Sequence, residues 1–241
     1  MKQKNNLAII LAAGKGSRMK KNIPKPLNKV YDKPILNWIV STFRSCNIDI
    51  AVVINPDKKK KFNKYNNDVL FIYQNNPLGT GHAVIQAKKV IEKYNKVFVF
   101  VGDSPFITSS IIRKMLLHHN KEKADCSILS SCFKRKFPYA RIIRKNNTLF
   151  KVVEENNATE QEKKTNELFA SHYLFNTKTL HKYIDRLQPN PISGEINLTD
   201  IINILIENNK KINVIKINDW RKLIGLNTQE DILWIESQKM I

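Results

Sequence analysis

Three stretches of this sequence carry residue types at spacings that suit phosphate chemistry. Leu11-Ala12-Ala13-Gly14-Lys15-Gly16-Ser17-Arg18 comes first, and Lys25 follows within Pro24-Lys25-Pro26-Leu27. Small residues at 12–14 and 16 let backbone approach a ligand closely, and the exposed N–H groups of such a loop bind phosphate. Arg18 and Lys25 bring two full positive charges to the same corner. The string lacks the Gly-Lys-Ser/Thr ending of a P-loop and the third glycine of a dinucleotide fingerprint, so neither of those sites is indicated. The second stretch is Gln74-Asn75-Asn76-Pro77-Leu78-Gly79-Thr80-Gly81-His82-Ala83. Gln74 can offer the edge of a pyrimidine both a donor and an acceptor. Gly79 and Gly81 would expose backbone where a ring must come close. Thr80 is placed to cap the following helix, and His82 reads as a packing residue rather than a catalyst. The third stretch, Val101-Gly102-Asp103-Ser104-Pro105, sets a carboxylate directly after an apolar run. That is a good position for Mg²⁺, which takes oxygen ligands and keeps several waters.

These loops can act together only if strands carry their ends to one place. Continuous apolar runs at 7–11, 50–54, 69–73 and 97–101 have the pattern of parallel strands buried on both faces. Between them, Ile35, Leu36, Ile39, Val40 and Phe43 recur at helical spacing within 34–44, and 81–94 reads as a second helix. The alternation predicts βαβ units and an α/β, three-layer architecture on a mixed, mostly parallel sheet. In such a sheet ligands bind at the carboxyl ends of the strands, where strand order reverses. The second half predicts strands at 126–132, 150–154, 168–176 and 213–217. Helices are expected at 177–187, 198–208 and 229–239, with a hydrophilic loop at 156–167. Lys58 to Lys61 follow the turn signal Asn55-Pro56-Asp57 and read as the solvated start of a helix. No internal repeat and no low-complexity linker is visible, so the expectation is one domain over 1–241. Its nucleotide-binding half would be about 1–125 and its acceptor-binding half about 126–241.

The first loop together with Pro24-Lys25-Pro26-Leu27 resembles the signature of sugar-phosphate nucleotidyltransferases. These transfer a nucleoside monophosphate from a triphosphate to a phosphorylated acceptor. The string from Gln74 to Ala83 is similar to one in the bacterial N-acetylglucosamine-1-phosphate uridyltransferases, where glutamine and glycine read the uracil. Further strings match in order: Tyr139-Ala140-Arg141-Ile142-Ile143-Arg144, then 152–158, then 194–202. The resemblance covers about residues 5–235 and implies a Rossmann-like nucleotidyltransferase fold. It assigns Leu11, Ala12, Ala13, Gly14, Lys15, Gly16, Gln74, Gly79 and Thr80 to the nucleotide, and Arg18, Lys25 and Asp103 to catalysis. It gives Asp103 to Mg²⁺ together with an asparagine near the C-terminus, here Asn227; read alone, Asn227 would cap the terminal helix. Ala140, Glu154 and Ala170 fall at the acceptor. Two of these depart from the family pattern: Ala140 stands where the family has a glycine whose backbone meets the sugar. Ala170-Ser171-His172 stands where an asparagine-serine/threonine-glycine string touches sugar hydroxyls. The implied reaction is UMP transfer from UTP to a sugar 1-phosphate such as N-acetylglucosamine 1-phosphate. Alternatives are CTP, another phosphorylated acceptor (a phosphorylated alcohol or amino alcohol), or a nucleotide-binding module without acceptor chemistry.

Composition bounds the remainder. The 241 residues hold 41 Lys and Arg against 21 Asp and Glu, a formal charge of +20. That balance favours anionic partners, but the excess is spread along the chain and no nucleic-acid motif accompanies it. Nucleic acid is therefore not the expected partner; small phosphorylated molecules are. No apolar run is long enough for a membrane helix, the N-terminus does not read as a signal peptide, and the expected compartment is the cytoplasm. Cys46, Cys126 and Cys132 lack metal-ligand spacing and read as buried, inert thiols. The hexapeptide periodicity of an acetyltransferase β-helix is absent. Since that part builds the trimer of the resembled enzymes, a monomer or weak dimer is expected.

Overall fold

The computed structural model of the chain describes residues 4–14, 23–191 and 193–240. The first half runs β1 (Lys4–Leu11), a small ribbon of β2 (Lys29–Val30) and β3 (Lys33–Pro34), α1 (Ile35–Arg44), β4 (Asp49–Ile54), β5 (Leu70–Tyr73), α2 (Thr80–Gln86), α3 (Lys88–Ile91), β6 (Tyr94–Val101) and α4 (Ser109–Lys121). The second runs β7 (Cys126–Cys132), β8 (Ala140–Lys145), β9 (Thr148–Val153), α5 (Glu160–Lys163), β10 (Glu167–Asn176), α6 (Thr177–Tyr183), α7 (Asp200–Glu207), β11 (Ile212–Lys216) and α8 (Gln229–Ser237). Strand order in the main sheet is β11-β7-β10-β6-β1-β4-β5, with the β8–β9 hairpin attached through β10. Strands β6, β1, β4 and β5 are mutually parallel, as are β11 and β7, whereas β10 is antiparallel to both its neighbours. The chain leaves β1 toward β4 and β5, then returns to its other side at β6. The carboxyl ends of β1 and β6 therefore flank a switch point.

Period-two alternation along continuous apolar strands fills both faces of this sheet. Ala8 and Ile10, Val52 and Ile54, and Phe98 and Phe100 face one core, covered by α1, α4 and α8 and by the 3₁₀ turn at Pro56–Tyr65. Leu7 and Ile9, Ala51 and Val53, and Val97 and Val99 face the other, covered by α2, α3, α6 and α7. Phe43 of α1 sits against the rings of Phe98 and Phe100 at 5.5 and 5.2 Å between centroids. Full burial of such a side chain contributes roughly 1.5–3 kcal/mol, so these contacts fix α1 on the sheet.

Local departures from the sequence expectation have identifiable causes. The helix expected over 81–94 breaks at Ala87, and Tyr94 instead opens β6, because it pairs with Lys4 in the sheet and its hydroxyl donates to Asp49 at 2.7 Å. Helix α4 was not anticipated; it is capped by Thr108, whose hydroxyl accepts from the Ile111 N–H. Lys58 to Lys61 lie in the 3₁₀ turn, which Asn55 caps and which buries Phe62 and Tyr65. Of the three thiols only Cys126 is buried, while Cys46 and Cys132 are partly exposed. No helix among the described residues is long and apolar enough to cross a membrane.

Candidate active site

Two adjoining clefts open at the carboxyl ends of the parallel strands. The larger, about 450 Å³, is lined by Leu11 to Gly14 from the end of β1, by Gln74, Pro77, Gly79, Thr80 and Ala83, by Val101 to Asp103, and by Lys25, Pro26, Glu195 and Asn227. The β1 end is locked between its neighbours: the Ala12 N–H donates to Val53 O at 2.8 Å and the Gly102 N–H to Leu11 O at 2.9 Å. Lys15, Gly16, Ser17 and Arg18 lie outside the described residues.

Gln74 is buried at the floor of this cleft, 2% exposed. Its amide nitrogen donates to Gly79 O at 3.1 Å and meets His82 Nδ1 at 2.9 Å. With both amide hydrogens engaged, what Gln74 offers an incoming base is its carbonyl oxygen. His82 thus orients Gln74, a role that packing patterns alone do not reveal. Gly79 adopts φ +104°, and a Cβ there would lie 2.5 Å from Ile196 O, so both conformation and close approach require glycine. The 194–198 segment presses on this loop through Gly81 N–H to Ile196 O and Ile196 N–H to Leu78 O, both 2.8 Å. Thr80 is not the helix cap; Gly79 holds that place, and the Thr80 hydroxyl accepts from the Leu198 N–H at 2.9 Å.

At the other end of the cleft, Lys25, Asp103 and Asn227 converge from 78 and 202 residues apart. The Lys25 ammonium pairs with the Asp103 carboxylate and donates to Asn227 Oδ1 at 2.7 Å. Only 18% of the Lys25 side chain and 17% of the Asp103 side chain are exposed. Asn227 does not cap α8. Thr228 does, in a capping box with Asp231, which leaves the Asn227 amide to donate to Gly225 O and its oxygen to face Lys25. An ammonium held between these two oxygens marks a point where a cation is stabilised, and the donor set is oxygen only. The pair therefore fits Mg²⁺, which takes one or two protein oxygens and completes its shell with waters and substrate phosphates. No cluster of three or more His, Cys, Asp or Glu side chains suited to a metal occurs among the described residues.

The smaller cleft, about 160 Å³, shares Val101, Asp103 and Asn227 with the first and adds Ser104, Pro138, Tyr139, Ala140, Glu154, Phe169, Ala170, Ser171 and Gly225. All three residues expected at the acceptor, Ala140, Glu154 and Ala170, thus border one cavity. Ala170 and Ser171 lie on a bulge of β10: the three residues between Phe169 and Tyr173 stand opposite the one between Ser130 and Ile128 on β7, and Ser171 takes φ +58°. Bulges of this kind re-aim side chains beside functional sites. Burial lifts the Glu154 pKa above the ordinary carboxylate value, against a hydrogen bond from Thr199 that lowers it. His172, next on the bulge, is wholly buried against the Phe100 ring at 4.8 Å. Sequence reasoning did not single out Tyr139, Gly225 or Glu195 as lining residues, because none carries a chemistry-bearing pattern by itself.

Comparison with known proteins relates the chain to a family along most of its length. A family model, the MobA-like NTP transferase domain, matches residues 8–176. The bifunctional protein GlmU of Clostridium novyi is 41% identical over 227 residues, 92% of this chain and 49% of that protein. Its counterpart in Clostridium tetani is 35% identical over 236 residues, 96% of this chain and 52% of that one. The chain spans about half the length of the curated relatives it matches. A crystal structure from Bacillus anthracis, assigned as a glucose-1-phosphate thymidylyltransferase in complex with a sucrose, superposes with a TM-score of 0.78 at 20% identity. It covers 97% of this chain and 94% of that one. At that identity the likeness establishes the fold.

Proposed function

The chain belongs to the MobA-like NTP transferase domain family and is a nucleotidyltransferase, and we propose that it transfers UMP from UTP to a sugar 1-phosphate such as N-acetylglucosamine 1-phosphate, releasing pyrophosphate. The observation that carries this reading is the convergence of Lys25, Asp103 and Asn227 where the two clefts meet. The larger cleft would take the triphosphate and the smaller the acceptor, so the reacting phosphates would lie at the shared wall of Asp103 and Asn227. Gln74 supports uracil: its carbonyl accepts from the ring N3–H, at a position where cytosine carries an acceptor instead.

An oxygen of the acceptor phosphate attacks the α-phosphorus of UTP, and the bond from that phosphorus to the bridging oxygen breaks as pyrophosphate departs. The acceptor is already an anion at neutral pH, so no general base is required. Asp103 and Asn227 would hold Mg²⁺, which when bound neutralises charge on phosphoryl oxygens. Lys25, with Arg18 and the loop amides from Gly14 to Ser17, would stabilise the charge growing on pyrophosphate. Glu154 would accept from acceptor hydroxyls. Catalysis on this reading is positioning plus charge stabilisation.

A second reading keeps the reaction and changes the acceptor. The methyls of Ala140 and Ala170 border the acceptor cleft, where the resembled enzymes bind hydroxyls, and favour a phosphorylated alcohol or amino alcohol. Pyrophosphate release from four triphosphates, each against several phosphorylated acceptors and with or without Mg²⁺, decides between them. UTP with N-acetylglucosamine 1-phosphate should give the highest kcat/KM. Nucleotide binding with no turnover on any acceptor would end both readings.

A further inference from the structure

We propose that Tyr139 is a positioning residue whose hydroxyl clamps Gly225, so that the Asp103 and Asn227 oxygens stay converged on one cation. The clamp rests on geometry alone; the identity of the cation rests on the reading above.

Tyr139 and Gly225 are 86 residues apart. The tyrosine hydroxyl accepts from the Gly225 N–H at 2.8 Å and donates to the Gly225 carbonyl at 3.3 Å. That same carbonyl accepts from the Asn227 side-chain amide at 2.9 Å, which turns Asn227 Oδ1 the other way, onto Lys25. The next residue, Leu226, donates its N–H to the Asp103 backbone carbonyl at 2.9 Å. Gly225 also lies flat against the Asp103 carboxylate: a Cβ on it would meet Oδ1 at 2.5 Å. One residue, Gly225, is thus in register with both oxygen donors, and one hydroxyl holds it there. The tyrosine ring has little freedom of its own. It stacks on Phe137 at 5.2 Å and 10° and meets the edge of Phe133 at 5.5 Å, and Phe133 in turn packs on Trp220.

Tyr139 also borders the acceptor cleft, so direct contact with the acceptor is the rival role. With its single proton committed to Gly225, the hydroxyl has none left to donate to an acceptor.

Tyr139→Phe keeps the ring and its stacking while removing both hydrogen bonds. In the ligand-free protein, amide exchange at Gly225 and Leu226 should accelerate about tenfold, the scale of one net hydrogen bond, with amides of β1 and β6 unchanged. Mn²⁺ alone, titrated by EPR, should bind roughly tenfold or more weakly, as when an outer-shell partner of a metal ligand is removed. The divalent cation concentration for half-maximal turnover should rise in step, with the acceptor KM unchanged. Gly225→Ala, which presses on Asp103 with Tyr139 intact, should weaken Mn²⁺ binding as well. Unchanged exchange at Gly225 and Leu226, or a raised acceptor KM with an unaltered cation requirement, would overturn the proposal. If the wild-type protein takes up no Mn²⁺ and turns over without divalent cation, the metal reading fails, and the exchange result still decides the clamp.

Discussion

His172 gives the sharpest test of how this core is balanced. The imidazole is wholly buried between β6 and the bulge of β10, packed on Phe100, and neither ring nitrogen finds a hydrogen-bond partner among the described residues. Burial pushes its pKa from 6.5 down to about 4, and the nearby Asp103 charge opposes that shift only in part. The folded protein therefore holds the ring neutral, and the unfolded chain is the first to take up a proton as pH falls. Stability from this group is complete above pH 6.5 and is lost as pH drops from 6.5 toward about 4. At about 1.4 kcal/mol per pH unit, the loss is about 2 kcal/mol by pH 5 and about 3 kcal/mol by pH 4. His172→Leu removes both the titration and the two unpaired nitrogens, each of which costs about 1–3 kcal/mol when buried. Urea unfolding followed by tryptophan fluorescence should find the variant at least as stable as wild type at pH 7.5. The difference should widen by about 2 kcal/mol at pH 5. Burial also lowers the pKa of His119, but His119 is present in both proteins and cancels in the comparison. Parallel stability curves, or a variant much weaker than wild type at pH 7.5, would refute the reasoning.

Other outcomes follow from the site. Lys25→Ala should lower kcat roughly 10²-fold, the scale of losing one preorganised charge donor, as measured by pyrophosphate release. Gly79→Ala places a methyl against Ile196 O at φ +104°. It should cost about 1–3 kcal/mol in urea unfolding and raise the UTP KM. Ala170→Asn should raise kcat/KM for N-acetylglucosamine 1-phosphate roughly tenfold if the cleft takes a sugar, since a site that pairs hydroxyls discriminates steeply. No gain on any sugar phosphate would favour the smaller acceptors.

What the sequence determined alone is the framework and the list of candidate site residues. Runs such as Val97-Phe98-Val99-Phe100-Val101 can bury both faces only as interior strands of a sheet covered on both sides. A glycine-containing loop after one such strand and an aspartate after another then fall at the same edge. The three loops were legible because their chemistry is local: small residues in one, an amide in the second and a carboxylate in the third, each close to a strand end. Helix α4 is hard to read in sequence because its buried side, Ile111, Ile112 and Met115, is completed by His119, a polar residue type. The break at Ala87 escaped because the pairing of Tyr94 is with Lys4, 90 residues earlier. Residue type could not say that Thr80 serves Leu198 rather than its own helix, or that Asn227 turns away from α8 toward Lys25. Both side chains have a respectable local partner as caps, and only the approach of a distant segment decides against it. The same holds for Tyr139 on Gly225: a hydroxyl and a backbone amide carry no pattern in sequence, and their pairing exists because the β8 strand and the segment before α8 are folded onto one wall.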